Sequence, residues 1–132
     1  MRISFDFDNT LYHPFGFEET GDSNKQIDEI QLLAKKYARD GHNVFIVTKR
    51  YGPSKKNLGL GHEHLLVYEV ASKLGIDPSN IYFTNREMKV DTLLNLKIDR
   101  HFEDDRYECS LISSVGIQII PVLDPYWRDL IY

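Results

Sequence analysis

The feature that most constrains the fold is the run Val44-Phe45-Ile46-Val47, in which four consecutive residues are apolar. A strand with one face in solvent alternates between apolar and polar residues, so an unbroken apolar run predicts a strand that is buried on both faces. Helical patterns separate this run from the other short apolar runs of the chain. That alternation predicts an α/β fold of the three-layer, Rossmann-like type, with a mainly parallel five-stranded sheet and helices on both faces.

The predicted elements follow from hydrophobic spacing and from turn residues. Strands are predicted at the start of 3–11 and at 44–47, 81–84, 98–102 and 117–122. Helices are predicted from about residue 23 to Gly41, at 62–74, 88–96 and 107–114, and as a short turn after Asp124-Pro125. Ser23 and Gln26 have the spacing of a capping box at the start of the first helix.

The composition indicates one ordinary globular domain that spans residues 1–132, with 42% hydrophobic and 27% charged residues. Cys109 is the single cysteine, which excludes a disulfide framework and a cysteine-based zinc site. The net charge of −4 argues against a general nucleic-acid coat. No apolar run has membrane-spanning length and the N-terminus has no signal-peptide pattern, so we expect a cytoplasmic protein without a membrane partner.

Asp6 and Asp8 follow the first predicted strand, which begins at Ile3. Two carboxylates two residues apart on a strand point the same way and repel each other when half buried. A divalent cation that prefers oxygen ligands, such as Mg²⁺, relieves that repulsion. An isolated pair would also fit a solvated turn. A calcium loop of the EF-hand type is excluded, because Leu11 and Phe17 stand where that loop needs Gly and Glu.

Other polar residues also follow predicted strands. Thr48 ends the second strand, Asp104 and Asp105 follow the fourth, and Lys89 begins a helix just beyond the third. Ligands of parallel sheets bind at the carboxyl ends of the strands. These side chains are therefore predicted to converge with the two aspartates of the first strand at one edge of the sheet.

This ordered set resembles the four motifs of the haloacid dehalogenase-like (HAD) phosphohydrolases: Asp-x-Asp-x-Thr, a strand ending in Thr, a Lys, and a strand ending in Asp-Asp. The resemblance covers nearly the whole chain, and its most specific part is Phe-Asp-Phe-Asp-Asn-Thr-Leu at 5–11. Receiver domains of two-component signalling use similar residues, but in a different order. Many HAD members carry Gly where this chain has Asn9, and Asn tolerates a positive φ better than most residues.

The resemblance implies a Mg²⁺-dependent phosphomonoesterase in which Asp6 attacks phosphorus and forms an aspartyl-phosphate. Asp8 is expected to protonate the leaving group and then to take a proton from the hydrolytic water. Thr48 is expected to donate a hydrogen bond to the phosphate, and Lys89 to add a positive charge while it pairs with Asp6. Lys97 also follows Thr48 in the chain, but Lys89 is preferred because it begins the helix that follows the third strand.

The resemblance also implies the metal ligands and part of the phosphate site. Mg²⁺ is expected on the Asp6 carboxylate, the Asp8 backbone carbonyl and one aspartate of the final pair, with Asp105 preferred and Asp104 in support. The backbone amides after Asp6, beginning with that of Phe7, are expected to cradle the phosphate. Two further residues are assigned to the substrate side: Thr10, chiefly as a residue that orients Asp8, and Arg50.

Larger HAD members insert a cap domain, but here residues 12–24 suffice only for a small flap hairpin, so a capless enzyme is expected. Flap aromatics could stack on a base or sugar or simply pack on the core, and they are His13, Phe15 and Phe17. A basic cluster beside the phosphate site could steer a polyanion, and it comprises Lys49, Arg50, Lys55 and Lys56. The substrate is therefore a phosphorylated molecule of open identity, and no oligomeric state follows. Two alternatives stay open: a nucleotide or nucleic-acid-end phosphatase, and a catalytically silent HAD-like binding or regulatory module.

Overall fold

The computed structural model describes residues 1–14, 22–55 and 57–132, and within this part it leaves out the side chains of 22–24. The strands are β1 (Arg2–Phe5), β2 (Asn43–Thr48), β3 (Ile81–Phe83), β4 (Arg100–Glu103) and β5 (Gln118–Pro121). The helices are α1 (Asp22–Arg39), α2 (His64–Leu74), α3 (Val90–Asn95) and α4 (Arg106–Ser113). Short 3₁₀ turns lie at Pro53–Lys55, Pro78–Asn80 and Trp127–Leu130.

The five strands form one sheet in the order β3-β2-β1-β4-β5, and all four neighbouring pairs are parallel. The predicted α/β fold with a five-stranded parallel sheet is thereby confirmed. The chain builds the sheet outward from β1 on one side and then returns to add β4 and β5 on the other side. The strand order therefore reverses between β1 and β4, which is where ligands of such sheets bind.

The apolar run of β2 is buried throughout, as the sequence predicts. Val44 and Ile46 belong to a core cluster that also contains residues of α1 and α2. Phe45 and Val47 belong to a second cluster with residues of α3 and α4. Because successive side chains of a strand point to opposite faces, this one strand supplies both clusters.

The predicted flap lies mostly outside the described residues, since these omit 15–21 and with them Phe15 and Phe17. Its last three residues belong instead to α1, which begins at Asp22. His13 is half-buried. Among the described residues, no helix has the length and apolar character needed to cross a membrane.

Candidate active site

A cavity of about 160 Å³ lies at the carboxyl edge of the sheet. Six of the residues that the sequence assigned to catalysis or to the metal line it: Asp6, Asp8, Thr48, Lys89, Asp104 and Asp105. Four others complete the lining: Asn9, Lys49, Glu103 and Glu108. The convergence predicted from the strand ends is therefore present. Phe7, Thr10 and Arg50 were assigned to the substrate side, but they do not line the cavity.

Asp6 stands at the point where the strand order reverses. It directly follows β1, and its backbone N–H donates to the carbonyl of Phe102 in β4 over 2.9 Å. Asn9 adopts the left-handed conformation with φ 62°, a backbone conformation that Asn tolerates better than most residues. The backbone N–H groups of Thr10, Leu11 and Tyr12 all donate to the carbonyl of Phe7. A tight turn thus fixes the chain directly after Asp6.

Lys89 lies between two buried carboxylates. Its Nζ is 2.6 Å from Asp6 Oδ1 and 2.7 Å from Glu103 Oε1, and all three side chains are buried. Burial alone would lower the pKa of Lys89, but the negative charges of Asp6 and Glu103 outweigh burial and raise it. Lys89 is therefore a permanent ammonium group in contact with Asp6, whereas Lys97 is exposed.

Glu103 is held from several sides. Its Oε1 also accepts from Nε2 of buried His101 at 2.9 Å, and its Oε2 accepts from the backbone N–H of Asp105 at 3.2 Å. Nδ1 of His101 lies 2.6 Å from the hydroxyl of Ser4, its neighbour in the pairing of β1 with β4. Burial alone would raise the pKa of Glu103, but the hydrogen bond from His101 and the charge of Lys89 lower it. Glu103 is thus a fixed anion that positions Lys89.

Asp6, Glu103 and Asp104 each offer a carboxylate oxygen, and these oxygens lie within 4.8 Å of one another. Burial, a hydrogen bond with Asp6 and the charges of Asp6 and Glu103 raise the pKa of Asp104 to about 9. Burial also raises the pKa of Asp6 despite the opposing charge of Lys89. Both shifts have the direction expected for carboxyl groups that are buried close to another acidic group. A divalent cation with oxygen ligands fits the same position. Asp6 and Asp104 are better placed to hold it than Glu103, because Glu103 already accepts three hydrogen bonds and Asp6 accepts two.

The structure gives the two final aspartates different surroundings. The Asp105 carboxylate caps α4, where its Oδ1 accepts from the backbone N–H groups of Tyr107 at 2.8 Å and Glu108 at 3.1 Å. Capping satisfies N–H groups that the first turn of a helix leaves without partners. Asp104 is the member of the pair that reaches Asp6, so the geometry favours Asp104, not Asp105, as the metal ligand.

Arg50, which the sequence assigned to substrate, contacts Asp8 in the structure. Its Nε and Nη2 donate to the two carboxylate oxygens of Asp8 at 2.9 and 2.7 Å, and its Nη1 donates to the carbonyl of Glu63 at 2.8 Å. The guanidinium group also lies over the rings of Phe7 and Tyr12, at 5.0 and 5.7 Å from their centroids. Arg50 is only 9% exposed, so it positions Asp8 and does not present a free cation to substrate.

The two threonines differ in what they do. The hydroxyl of Thr10 donates to Asp6 Oδ2 over a long 3.3 Å and therefore supports Asp6, not Asp8 as the sequence suggested. The hydroxyl oxygen of Thr48 accepts from the backbone N–H of Arg50 at 3.2 Å. Since a hydroxyl can donate one bond while it accepts another, Thr48 keeps a proton for a ligand in the cavity.

Glu63 is a buried residue that sequence reasoning missed. Its carboxylate accepts from the backbone N–H of Tyr51 and from Nη2 of Arg86, both at 2.9 Å. Burial alone would raise the pKa of Glu63, but the hydrogen bonds from Arg86 and from the Tyr51 backbone lower it. Its backbone carbonyl holds Arg50, so Glu63 links the loop after β2 to the residue that positions Asp8.

Sequence reasoning also missed His101 and Glu103 as residues of the site, although the sequence carries a signal for both. His101 and Glu103 alternate with Phe102, and charged side chains in a buried strand need partners. Nothing in the sequence near Glu63 indicates its contacts, because they join segments that only the fold brings together.

No family model matches the chain, and the search of curated proteins found no match.

Proposed function

We propose that the chain is a metal-dependent phosphomonoesterase of the HAD type, with a three-layer fold and no cap domain. The observation that carries this proposal is a buried Asp6 held by Lys89 at the reversal point of the sheet, with Thr48 and Asp104 in the same cavity. Alternate residues of β2 belong to two core clusters, one with residues of α1 and α2 and the other with residues of α3 and α4. Helices packed on both faces of the sheet support the three-layer arrangement. The predicted cytoplasmic location stays a prediction.

The chemistry proceeds in two steps on Asp6. First, a carboxylate oxygen of Asp6 attacks phosphorus, the bond from phosphorus to the leaving oxygen breaks, and Asp8 gives that oxygen a proton. Lys89 fixes Oδ1, which leaves Oδ2, with its long contact to Thr10, as the oxygen that attacks. Then water attacks phosphorus and gives its proton to Asp8, the bond to Asp6 breaks, and inorganic phosphate leaves.

Other residues of the cavity bind and orient the phosphoryl group. The hydroxyl of Thr48 donates to a phosphoryl oxygen, and Glu103 keeps Lys89 in place against Asp6. When bound by Asp6 and Asp104, Mg²⁺ supplies positive charge that reduces repulsion between the nucleophile and the anionic substrate. Asp105 holds the first turn of α4 beside it.

The volume of the cavity limits what it can enclose. About 160 Å³ is below the range of pockets that enclose whole small molecules, so the cavity takes the phosphoryl group while the leaving group lies outside. The nucleotide or nucleic-acid alternative rested on the flap and the basic cluster. Arg50 is engaged with Asp8, and Phe15, Phe17 and Lys56 lie outside the described residues, so this alternative stays a prediction.

One observation favours a second function, a phosphate-binding module without turnover. Asp8 accepts two hydrogen bonds from Arg50, and a carboxylate in that state has no proton to give a leaving group. For the phosphatase function, one of these two bonds must open when substrate binds. For the silent module, both bonds persist.

The experiment that separates the two functions follows hydrolysis of p-nitrophenyl phosphate with Mg²⁺ and with a chelator, alongside calorimetric binding of inorganic phosphate. The phosphatase function predicts turnover that requires the metal. Phosphate binding without turnover of aryl or alkyl phosphates would favour the silent module. Absence of both phosphate binding and turnover would contradict both functions.

A further inference from the structure

Lys49 is a cation at the cavity with no strong partner. It follows Thr48 at the end of β2, lines the cavity, and has a side chain that is 31% exposed. Its Nζ lies 3.9 Å from Oε1 of Glu108, which is beyond hydrogen-bond distance. The ammonium group can therefore move to another anion at little cost.

The other cations near the cavity are already engaged. Lys89 gives two of its three N–H groups to Asp6 and Glu103, at 2.6 and 2.7 Å. The Nε and Nη2 groups of Arg50 donate to the two carboxylate oxygens of Asp8. Among the described residues that line the cavity, Lys49 and Lys89 are the two with cationic side chains. An incoming phosphate dianion thus meets one cation that is not already paired at short range.

Glu108 holds its place without Lys49. Its side chain is 1% exposed, and its two carboxylate oxygens lie 3.4 and 3.2 Å from the backbone nitrogen of Lys89 at the start of α3. This contact positions the carboxylate independently of the lysine side chain. Exchange of Lys49 from Glu108 to a ligand therefore need not disturb α3 or Lys89.

We propose that Lys49 is a phosphate-binding residue that leaves Glu108 and donates to an oxygen of the phosphoryl group when the substrate enters the cavity. This inference rests on the proposed function and assigns the phosphate-binding cation to Lys49, in addition to Lys89. Because Lys49 is placed to contact the phosphoryl group and not Asp6 or Asp8, its loss raises KM and the Kd for phosphate more than it lowers kcat.

The test is calorimetric binding of inorganic phosphate to the full chain with Mg²⁺. Lys49→Met is expected to weaken binding about tenfold, the loss of one charge-assisted hydrogen bond, while Lys49→Arg retains most of the affinity. Lys35→Met removes an exposed lysine of α1 outside the cavity and should leave the Kd unchanged.

Glu108→Gln separates ligand binding from a structural role. It removes the anion that competes for Lys49 but keeps an oxygen for the Lys89 N–H, so phosphate should bind as tightly as to the wild type or more tightly. If Glu108→Gln weakens phosphate binding as much as Lys49→Met, or if Lys49→Met has no effect, the inference is wrong and the proposed function still stands. If the wild type itself binds no phosphate, the inference falls, and the proposed function falls with it only if turnover is absent as well.

Discussion

The ammonium group of Lys89 holds two buried carboxylates at short distance, and neither has access to enough water to replace it. Charges in the interior are tolerated when each has a partner and become costly when one partner is removed. Lys89 therefore has two roles at one position. It stabilises the fold, and it fixes the orientation of the proposed nucleophile.

Substitution of Lys89→Met should lower the free energy of unfolding by about 3–5 kcal/mol, because it leaves Asp6 and Glu103 buried without their shared cation. Denaturant titration measures this loss. Lys97→Met is the matched control, since Lys97 is an exposed lysine after the same helix and should change stability by less than about 0.5 kcal/mol. Equal effects of the two substitutions would contradict the buried ion network.

A substitution of Arg50 tests whether the position of Asp8 matters for protonation of the leaving group. Arg50→Lys removes the two-pronged contact with Asp8 and should lower kcat for an alkyl phosphate about tenfold more than for p-nitrophenyl phosphate, which leaves without an acid. Arg39→Lys, at an exposed position of α1, is the control. Equal losses on the two substrates would show that Arg50 does not act through Asp8 on the leaving group.

The raised pKa of Asp104 predicts how the binding of Mg²⁺ depends on pH. Its raised pKa of about 9 means that the group carries a proton at pH 7, and a cation must displace that proton. The apparent Mg²⁺ affinity should therefore rise with pH, about tenfold per unit, and level off near pH 9. Calorimetry in buffers of different ionisation enthalpy measures the released proton. Asp104→Asn should abolish this release; affinity that does not change between pH 7 and 9 would oppose the assignment.

The elements show where sequence reasoning succeeds. The unbroken apolar run at 44–47 and the polar residues after the strands predicted the parallel sheet and the edge where its side chains meet, because both depend on local patterns. The fourth strand begins at Arg100, two residues later than the predicted start at Ile98. Ile98 packs into the second core cluster from the segment before the strand, so its apolar character did not mark a strand residue.

Contacts between distant segments were not predictable in this way. The capping box predicted for Ser23 and Gln26 rests in part on the Ser23 side chain, which lies outside the described part of the structure. The helix α1 begins at Asp22, and the Gln26 amide contacts distant segments of the chain. Its Nε2 donates to the carbonyl of Val122 at 2.9 Å, and its Oε1 accepts from the indole of Trp127 at 3.3 Å. The sequence also could not show which of Asp104 and Asp105 faces Asp6, because two adjacent carboxylates differ only in which one caps the helix. The choice of metal ligand between them stays a prediction.

The loop after β2 is held to the loop before α3 by contacts that offset backbone strain. Asn85 and Arg86 both have positive φ, at 54° and 72°, which is costly for residues with a Cβ. The backbone N–H and Nη1 of Arg86 donate to the carbonyl of Lys49 at 2.7 and 3.0 Å, and its Nη2 donates to Glu63. These bonds keep Lys49 and Arg50 at the edge of the cavity.

Glu63→Gln should therefore loosen this loop. The variant loses the ion pair with Arg86 and should cost about 1–2 kcal/mol, with faster hydrogen exchange at the amides of Tyr51 and its neighbours. Glu69→Gln removes an exposed glutamate of α2 that pairs with Lys73 at 3.6 Å, and little change is expected there. Exchange that stays slow at Tyr51 in Glu63→Gln would contradict the anchoring role.

The whole molecule is arranged around β1, which pairs with β2 on one side and β4 on the other. This order brings the ends of segments far apart in the chain to one cavity: Asp6 after β1, Thr48 at the end of β2 and Asp104 after β4. Lys89 comes from the start of α3. Each of these residues alone would fit a purely structural role, and it is the fold that brings them together in one cavity.

The most direct test of the phosphatase account is metal-dependent hydrolysis of p-nitrophenyl phosphate by the wild type, by Asp6→Asn and by Asp28→Asn, an exposed aspartate of α1. The account predicts turnover by the wild type and by Asp28→Asn, and a loss of at least about a thousandfold in Asp6→Asn, because the amide cannot form the aspartyl-phosphate. Acid quenching during turnover should trap a hydroxylamine-sensitive phosphoryl group on Asp6. Wild-type levels of turnover in folded Asp6→Asn would contradict the central claim that Asp6 is the nucleophile.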